Sequence, residues 1–242
     1  MFQVKIKIAG KTIEMNTPFR ISKRLLKDYL IEEEADFQLP IFPEDIVQNN
    51  LFYDENSCIE GWEGNIQLSL LLQKVAESLL IYDIFLMHGA TICFNESAYI
   101  FSGASGIGKT THILKWLDSI PDVFVVNGDK PFIKFDKDGK VLACGSPWAG
   151  KENMNTNVIV PVKAIILMER AENNYIEQIS FGQAFISLLQ QIYRPDDADK
   201  MRKTLRLLKL LDGKVSFYRF QCNNFKGDSF RVTYEALTGN KL

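Results

Sequence analysis

Val4, Ile6 and Ile8 alternate with Lys5 and Lys7, Gly10 and Lys11 make a turn, and Thr12 to Met15 resumes the two-residue period. That period belongs to a strand with one buried face, so the chain is predicted to open on a β-hairpin. Leu25, Leu26, Tyr29 and Leu30 fall at helical spacing across Ile21 to Ile31, ahead of the solvated acidic run Glu32 to Glu34. Phe37 to Phe42 reads as extended, with Pro40 and Pro43 confining it to an edge or a strand end. The polar run Asp54 to Asn65, with Gly61 and Gly64, has the composition of a connection and puts a boundary near residue 60.

Beyond the boundary the pattern changes. Ile66 to Tyr82 has the length and the Leu, Ala and Gln content of a helix leading to Leu86, Met87 and His88. Thr91 to Phe94 and Ala98 to Phe101 are short extended runs around Asn95 and Glu96. Val123 to Val126, bounded by Pro121 and Gly128, reads as a strand buried on both faces, and Val162 to Met168 as a central strand. Phe132 to Phe135 and Val141 to Ala143 flank a hairpin turn at Asp136 to Gly139. Phe181 to Tyr193 and Asp196 to Leu211 are predicted helices, the second with a basic, solvated face, followed by a strand at Val215 to Phe220 and a helix at Asp228 to Leu237. The order predicts an α/β domain with a mixed sheet over 61–242 and a small α+β region over 1–60.

Composition narrows the partners. The 242 residues are 46% hydrophobic and 24% charged, enough for one sizeable core, and the net charge of -2 lacks the basic surplus of a general nucleic-acid binder. The four cysteines show no CxxC spacing, so neither a zinc site nor a disulfide framework is suggested, and a cytoplasmic location is expected. Leu79 to Met87 is short and broken by Asp83, and the N-terminus lacks an apolar signal core, so no membrane association is expected.

The chemistry concentrates in Gly103-Ala104-Ser105-Gly106-Ile107-Gly108-Lys109-Thr110-Thr111, a full GxxxxGK[ST] motif. At average residue usage, accident produces such a match in roughly one chain of this size in a hundred. A strand precedes it, and Ile113, Leu114, Trp116 and Leu117 behind it have the spacing of a helix face, the order a P-loop requires. Glycines let the chain curl around a polyphosphate and aim successive N–H groups at its oxygens, while the helix N-terminus adds positive potential. Lys109 would offer its ammonium to the outer phosphates of ATP, and the Thr110 hydroxyl would ligate the accompanying Mg2+; Thr111 adds a phosphate contact or caps the helix. His112 reads as a half-exposed helix residue.

The apolar run Val123 to Val126 ends at Asn127-Gly128-Asp129, and ligands of open α/β sheets gather beyond the carboxyl ends of the strands. Asp129 could bind the metal, position an acceptor hydroxyl or take its proton, or it could be a turn aspartate. Gly145 to Glu152 has the makeup of a loop that closes over ligands, with Lys151 either neutralising phosphate charge or plain surface. Arg170 reads as a strand-end ion-pair residue sooner than a phosphate contact.

His88-Gly89, a short hairpin, the glycine loop and a strand ending in Asp129 follow in an order that resembles the catalytic domain of HPr kinase/phosphorylase and, more remotely, the nucleotide site of phosphoenolpyruvate carboxykinase. The resemblance covers residues 86–152. It implies that His88 lies close to the transferring phosphate or metal, that Lys109 and Thr110 hold ATP and Mg2+, and that Asp129 takes a carboxylate role. Where the family has adjacent aspartates this chain has Gly128 and Asp129, or Asp129 and Lys130 if the register slips by one, so one carboxylate would serve as metal partner or base. The Pro147-Trp148-Ala149-Gly150-Lys151 segment resembles smaller HPr kinase-like proteins, some of which phosphorylate serine in peptide precursors or as a free amino acid. The expected function is ATP-dependent phosphoryl transfer to a hydroxyl of a peptide, protein or small molecule, with His88, Lys109, Asp129 and Lys151 in the catalytic set. A nucleotide sensor or accessory module with weak or no catalysis is the alternative, and subunit number stays open, a homo-oligomer included.

Overall fold

The computed structural model describes residues 1–48, 58–59, 66–223 and 228–242, so the boundary near residue 60 lies outside the described residues. The N-terminal part runs β1 (Phe2–Ile8), β2 (Lys11–Thr17), β3 (Arg20–Ile21), α1 (Lys23–Leu26), β4 (Phe37–Pro40), α2 (Pro43–Gln48) and β5 (Cys58–Ile59). There follow α3 (Ile66–Leu79), β6 (Ile84–Leu86), β7 (Ala90–Phe94), β8 (Ser97–Ser102), α4 (Lys109–Ser119), β9 (Phe124–Asn127), β10 (Phe132–Phe135) and β11 (Val141–Cys144). The chain closes with β12 (Ile159–Arg170), β13 (Tyr175–Ile179), α5 (Phe181–Gln190), α6 (Ala198–Lys209), β14 (Ser216–Cys222) and α7 (Ser229–Thr238).

The alternation at the start makes the expected hairpin: β1 and β2 pair antiparallel, and β4 joins β2 as a parallel edge. The helix expected over 21–31 shrinks to the single turn of α1. Tyr29 to Ile31 lie instead along β1, where Lys7 N–H donates to the Tyr29 carbonyl and Ile31 N–H to the Lys5 carbonyl. Pairing a sheet edge satisfies those backbone groups and overrides the helical spacing.

The main sheet is mixed and curled, in the order β6-β10-β11-β12-β8-β7-β9, with β14 and β13 branching from β12. The fork exists because β12 is long: Ile159, Val160 and Pro161 pair with β11, whereas Ala164–Arg170 pair with β14. β8 lies parallel to β12 along its other side, and its residues alternate between two helical layers. Ile100, Ile165 and Leu167 meet Leu188 of α5 and Leu207 and Leu208 of α6 in one apolar cluster. Tyr99, Phe101, Ala164 and Ile166 face Ile113 and Trp116 of α4 and Leu237 of α7 in another. β8, feeding the glycine loop, is thus clamped from both sides.

Three sequence expectations change here. β9 ends the strand path instead of lying inside it, and Phe124 at its start is 38% exposed, so burial on both faces is confined to Val125, Val126 and Asn127. Residues 191–193 do not continue α5: Met87 bridges Ile192, and Tyr193 N–H donates to the Leu86 carbonyl, because β6 offers an open edge there. His112 is fully buried on α4; its Nε2 lies 3.0 Å from the Thr233 hydroxyl and its ring packs between Phe101 and Phe220. Cys93, Cys144 and Cys222 are buried thiols, and among the described residues no helix is long and apolar enough to cross a membrane.

Candidate functional site

Residues 103–108 turn the chain from the end of β8 into the start of α4, with Gly106 at φ 73° and Gly108 at φ 102°, left-handed conformations that a side chain would strain. The loop curls around the Lys109 ammonium, whose Nζ donates to the Gly103 carbonyl at 2.9 Å and the Ala104 carbonyl at 3.2 Å. Lys109 is only 7% exposed, and burial holds its pKa below the usual lysine range. An anion in the loop would exchange two neutral carbonyl contacts for a charge-assisted one.

Across from the loop, the strand end at Asn127 sets Asp129 in place. The Asn127 side-chain carbonyl accepts the N–H groups of Asp129 at 2.9 Å and Lys130 at 2.6 Å. The Asn127 amide donates to the carbonyl and the hydroxyl of Ser146, and that hydroxyl donates to the Lys130 carbonyl. A buried network fully paired in this way fixes backbone geometry. Asp129 is therefore a turn aspartate and a cleft carboxylate at once.

His88 sits between β6 and β7, its carbonyl accepting the Ser102 hydroxyl at 2.6 Å, so it is tied to the residue that opens the glycine loop. Its Nε2 lies 3.2 Å from Asp129 Oδ1 and its Nδ1 lies 3.0 Å from Gln191 Oε1. Burial pushes the Asp129 carboxyl up, but the hydrogen bond from His88 and the charges of Lys130, His88 and Lys109 together hold it below the usual carboxylate range.

One cleft of about 440 Å3 collects these groups: His88, Ser105, Gly106, Gly108, Lys109, Thr110, Thr111, Asp129 and Lys151 all line it. Ala104 and Ile107 line instead an adjoining cleft of about 480 Å3 together with Arg170. The guanidinium of Arg170, the last residue of β12, donates to the Gly106 carbonyl at 3.0 Å and so braces the loop, and its neighbour Glu169 pairs with Arg219. On the far side of Asp129, a pocket of about 200 Å3 is bounded by Leu68, Leu72, Lys130, Trp148 and Lys151.

For Mg2+, the donor set is the test. The Thr110 hydroxyl and the Asp129 carboxylate, hard oxygen donors, line the same cleft. One or two protein oxygens of this kind are what such an ion takes when phosphate and water complete its shell. Sequence reasoning missed Asn127, Ser102, Ser146 and Gln191; only Asn127 carried a local signal, as the first residue of an Asn-Gly-Asp turn.

No protein-family model matches the chain, and no curated protein matches it in sequence. Among solved structures, the HPr(Ser) kinase/phosphatase from Coxiella burnetii aligns with 12% identity and a TM-score of 0.39, over 64% of this chain and 88% of that one. A likeness of that size gives the chain neither a family nor an activity.

Proposed function

We propose that this protein is a phosphotransferase that moves the terminal phosphoryl group of ATP to a hydroxyl, most plainly that of a serine or threonine in a peptide, protein or small molecule. One observation carries the reading: a hydrogen-bonded His88–Asp129 pair lines the same cleft as Lys109 and Thr110 of a GxxxxGKT loop. The loop amides, the α4 N-terminus and Lys109 would bind the phosphates. Thr110 and Asp129 would hold Mg2+, which supplies charge neutralisation at the phosphate oxygens. An acceptor entering from the Leu72–Trp148 side would bring its hydroxyl to Asp129; the acceptor oxygen bonds to phosphorus, the bond to the β-phosphate bridging oxygen breaks, and the hydroxyl proton passes to Asp129. Lys151, at the rim of both cavities, would offset developing charge.

The test is incubation with labelled ATP and Mg2+ and a panel of free hydroxy amino acids and serine-containing peptides, read by mass. A phosphoryl gain on an acceptor, lost with Lys109→Ala and reduced about 100-fold or more with Asp129→Asn, is the expected result. Gly128 favours a second reading, since a lone carboxylate is a poor complement for full catalysis: ATP bound by calorimetry with no transfer to any acceptor would make the protein a nucleotide sensor. Absence of nucleotide binding would overturn both.

A further inference from the structure

Ser105 and Gly106, at the tip of the glycine loop, line two clefts at once: that of Lys109, Thr110 and Asp129, about 440 Å3, and a second of about 480 Å3 that runs from Ala104 and Ile107 to the end of β12. β8 and β12 are parallel neighbours, so their carboxyl ends meet at this second cleft, through Gly103 and through Leu167–Arg170. A Cβ on Gly103 would lie 2.8 Å from the Met168 carbonyl oxygen, and Arg170 holds the Gly106 carbonyl, so the loop is fixed to β12 at two points. Opposite, Leu188 of α5 shares an apolar cluster with Leu167, and Ser187 and Gln190, neighbours on one face of that helix, complete the lining. Among the described residues, neither the Ser187 hydroxyl nor the Gln190 side-chain amide has a hydrogen-bond partner.

We propose that the second cleft seats the nucleoside of the phosphoryl donor, with the base against the lining of Ile107, Leu167 and Met168, Ser187 and Gln190 hydrogen-bonding to base or ribose, and the phosphates crossing the loop tip into the cleft of Lys109. This seat presupposes the proposed use of ATP. Ligands of parallel sheets gather beyond the carboxyl ends of the strands. The terminal phosphoryl group must face Asp129, so the nucleoside leaves the loop on another side, and sites for small ligands run to about 300–1,000 Å3 with a few polar groups on an apolar lining. The pockets of about 200 and 270 Å3 are smaller and lie beyond Asp129 and His88, where the acceptor enters. A pocket of about 590 Å3 is lined by Ser97 and Lys163 instead. Ser97 opens β8 at the end opposite the loop, about 15 Å away along the strand.

Calorimetry on the full-length protein with Mg2+, comparing ATP with inorganic triphosphate, tests this. Triphosphate occupies the loop and leaves the second cleft empty, so the wild type should bind ATP about tenfold or more tighter. Ser187→Trp fills that cleft from a half-buried position and should weaken ATP about tenfold or more, with triphosphate affinity unchanged. Gln190→Ala, at an exposed position, should weaken ATP about 3–10-fold and again spare triphosphate. Unchanged triphosphate affinity shows that each variant keeps a folded loop. Equal affinity of the wild type for the two ligands, or wild-type ATP affinity in both variants, would overturn the seat and leave the phosphotransferase reading intact. The expected affinities in a protein that phosphorylates no acceptor would uphold the seat and sink that reading; binding of neither ligand would sink both.

Discussion

Gly128 is the residue at which the candidate site departs from a paired-carboxylate design, and its surroundings explain why no side chain stands there. A Cβ at this position would lie 2.8 Å from the Ala149 carbonyl oxygen and 3.3 Å from that of Met154, while the Gly128 N–H donates to the Met154 carbonyl at 2.9 Å. Backbone atoms cannot swing aside as a lysine tip can, so Gly128→Asp must displace the loop. The expected cost is about 1–3 kcal/mol, a fall of several degrees in Tm for a chain of this size, with no gain in phosphoryl transfer. Thermal melts and the transfer assay check this; an unchanged Tm with faster transfer would show that the loop yields and that the missing carboxylate limits the rate. His112 makes a separate prediction. Burial drives its pKa down to about 3, against about 6.5 in an unfolded chain. Between those values the unfolded chain binds more protons, so stability falls as pH drops through about 6.5 towards 3, by up to about 1.4 kcal/mol per pH unit from this residue. Denaturant unfolding followed across that range should show the slope, and His112→Gln, less stable at neutral pH, should lack that share of it.

At the scale of elements, what could be read from the sequence was what is local. A strand, a glycine loop and a helix follow one another within about twenty residues, and a two-residue period giving way to a helical one marks them without knowledge of any distant partner. The turn from strand to helix was legible for that reason, and so was the place of Asp129 just past a strand end. The failures are all long-range pairings. Tyr29 and Leu30 have helical spacing but serve the edge of β1; residues 191–193 read as the tail of α5 but lie along the end of β6. Arg170, at the end of β12, also donates to the Gly106 carbonyl, 64 residues away in sequence. Gln191 is 103 residues from His88, and nothing in its neighbourhood distinguishes it from any helix-terminal glutamine. The site's chemistry was thus visible in the groups that would touch phosphate, and invisible in the groups that aim them.

Across the whole molecule, the loop between β11 and β12 ties the cleft to the N-terminal strands. Gly150 and Lys151 line the cleft, while Trp148 donates from Nε1 to the Leu68 carbonyl of α3. Further along the same loop, Asn155 Oδ1 accepts from the Tyr29 hydroxyl at 2.8 Å and the Asn157 amide donates to the Asp28 carbonyl at 2.8 Å. Ile6, Ile8, Ile13 and Met15 share one apolar cluster with Leu71, Val75, Leu79, Phe132 and Trp148. Each such side chain contributes about 1.5–3 kcal/mol on burial, against a total margin of about 5–15 kcal/mol for a folded chain. A protein beginning at residue 61 would therefore expose the α3 face and release the loop at Asn155 and Asn157. It is expected to bind an apolar dye, to associate, and to exchange the Gly128 and Thr156 amides faster than the full chain does, since the Gly128 N–H donates to the Met154 carbonyl of this loop and the Thr156 N–H, from the loop, to the Val126 carbonyl of β9. ATP binding should weaken in step, because the loop carries Gly150 and Lys151 into the cleft. A monomeric truncated protein with unchanged exchange at Gly128 and unchanged nucleotide affinity would show instead that residues 61–242 fold and bind on their own.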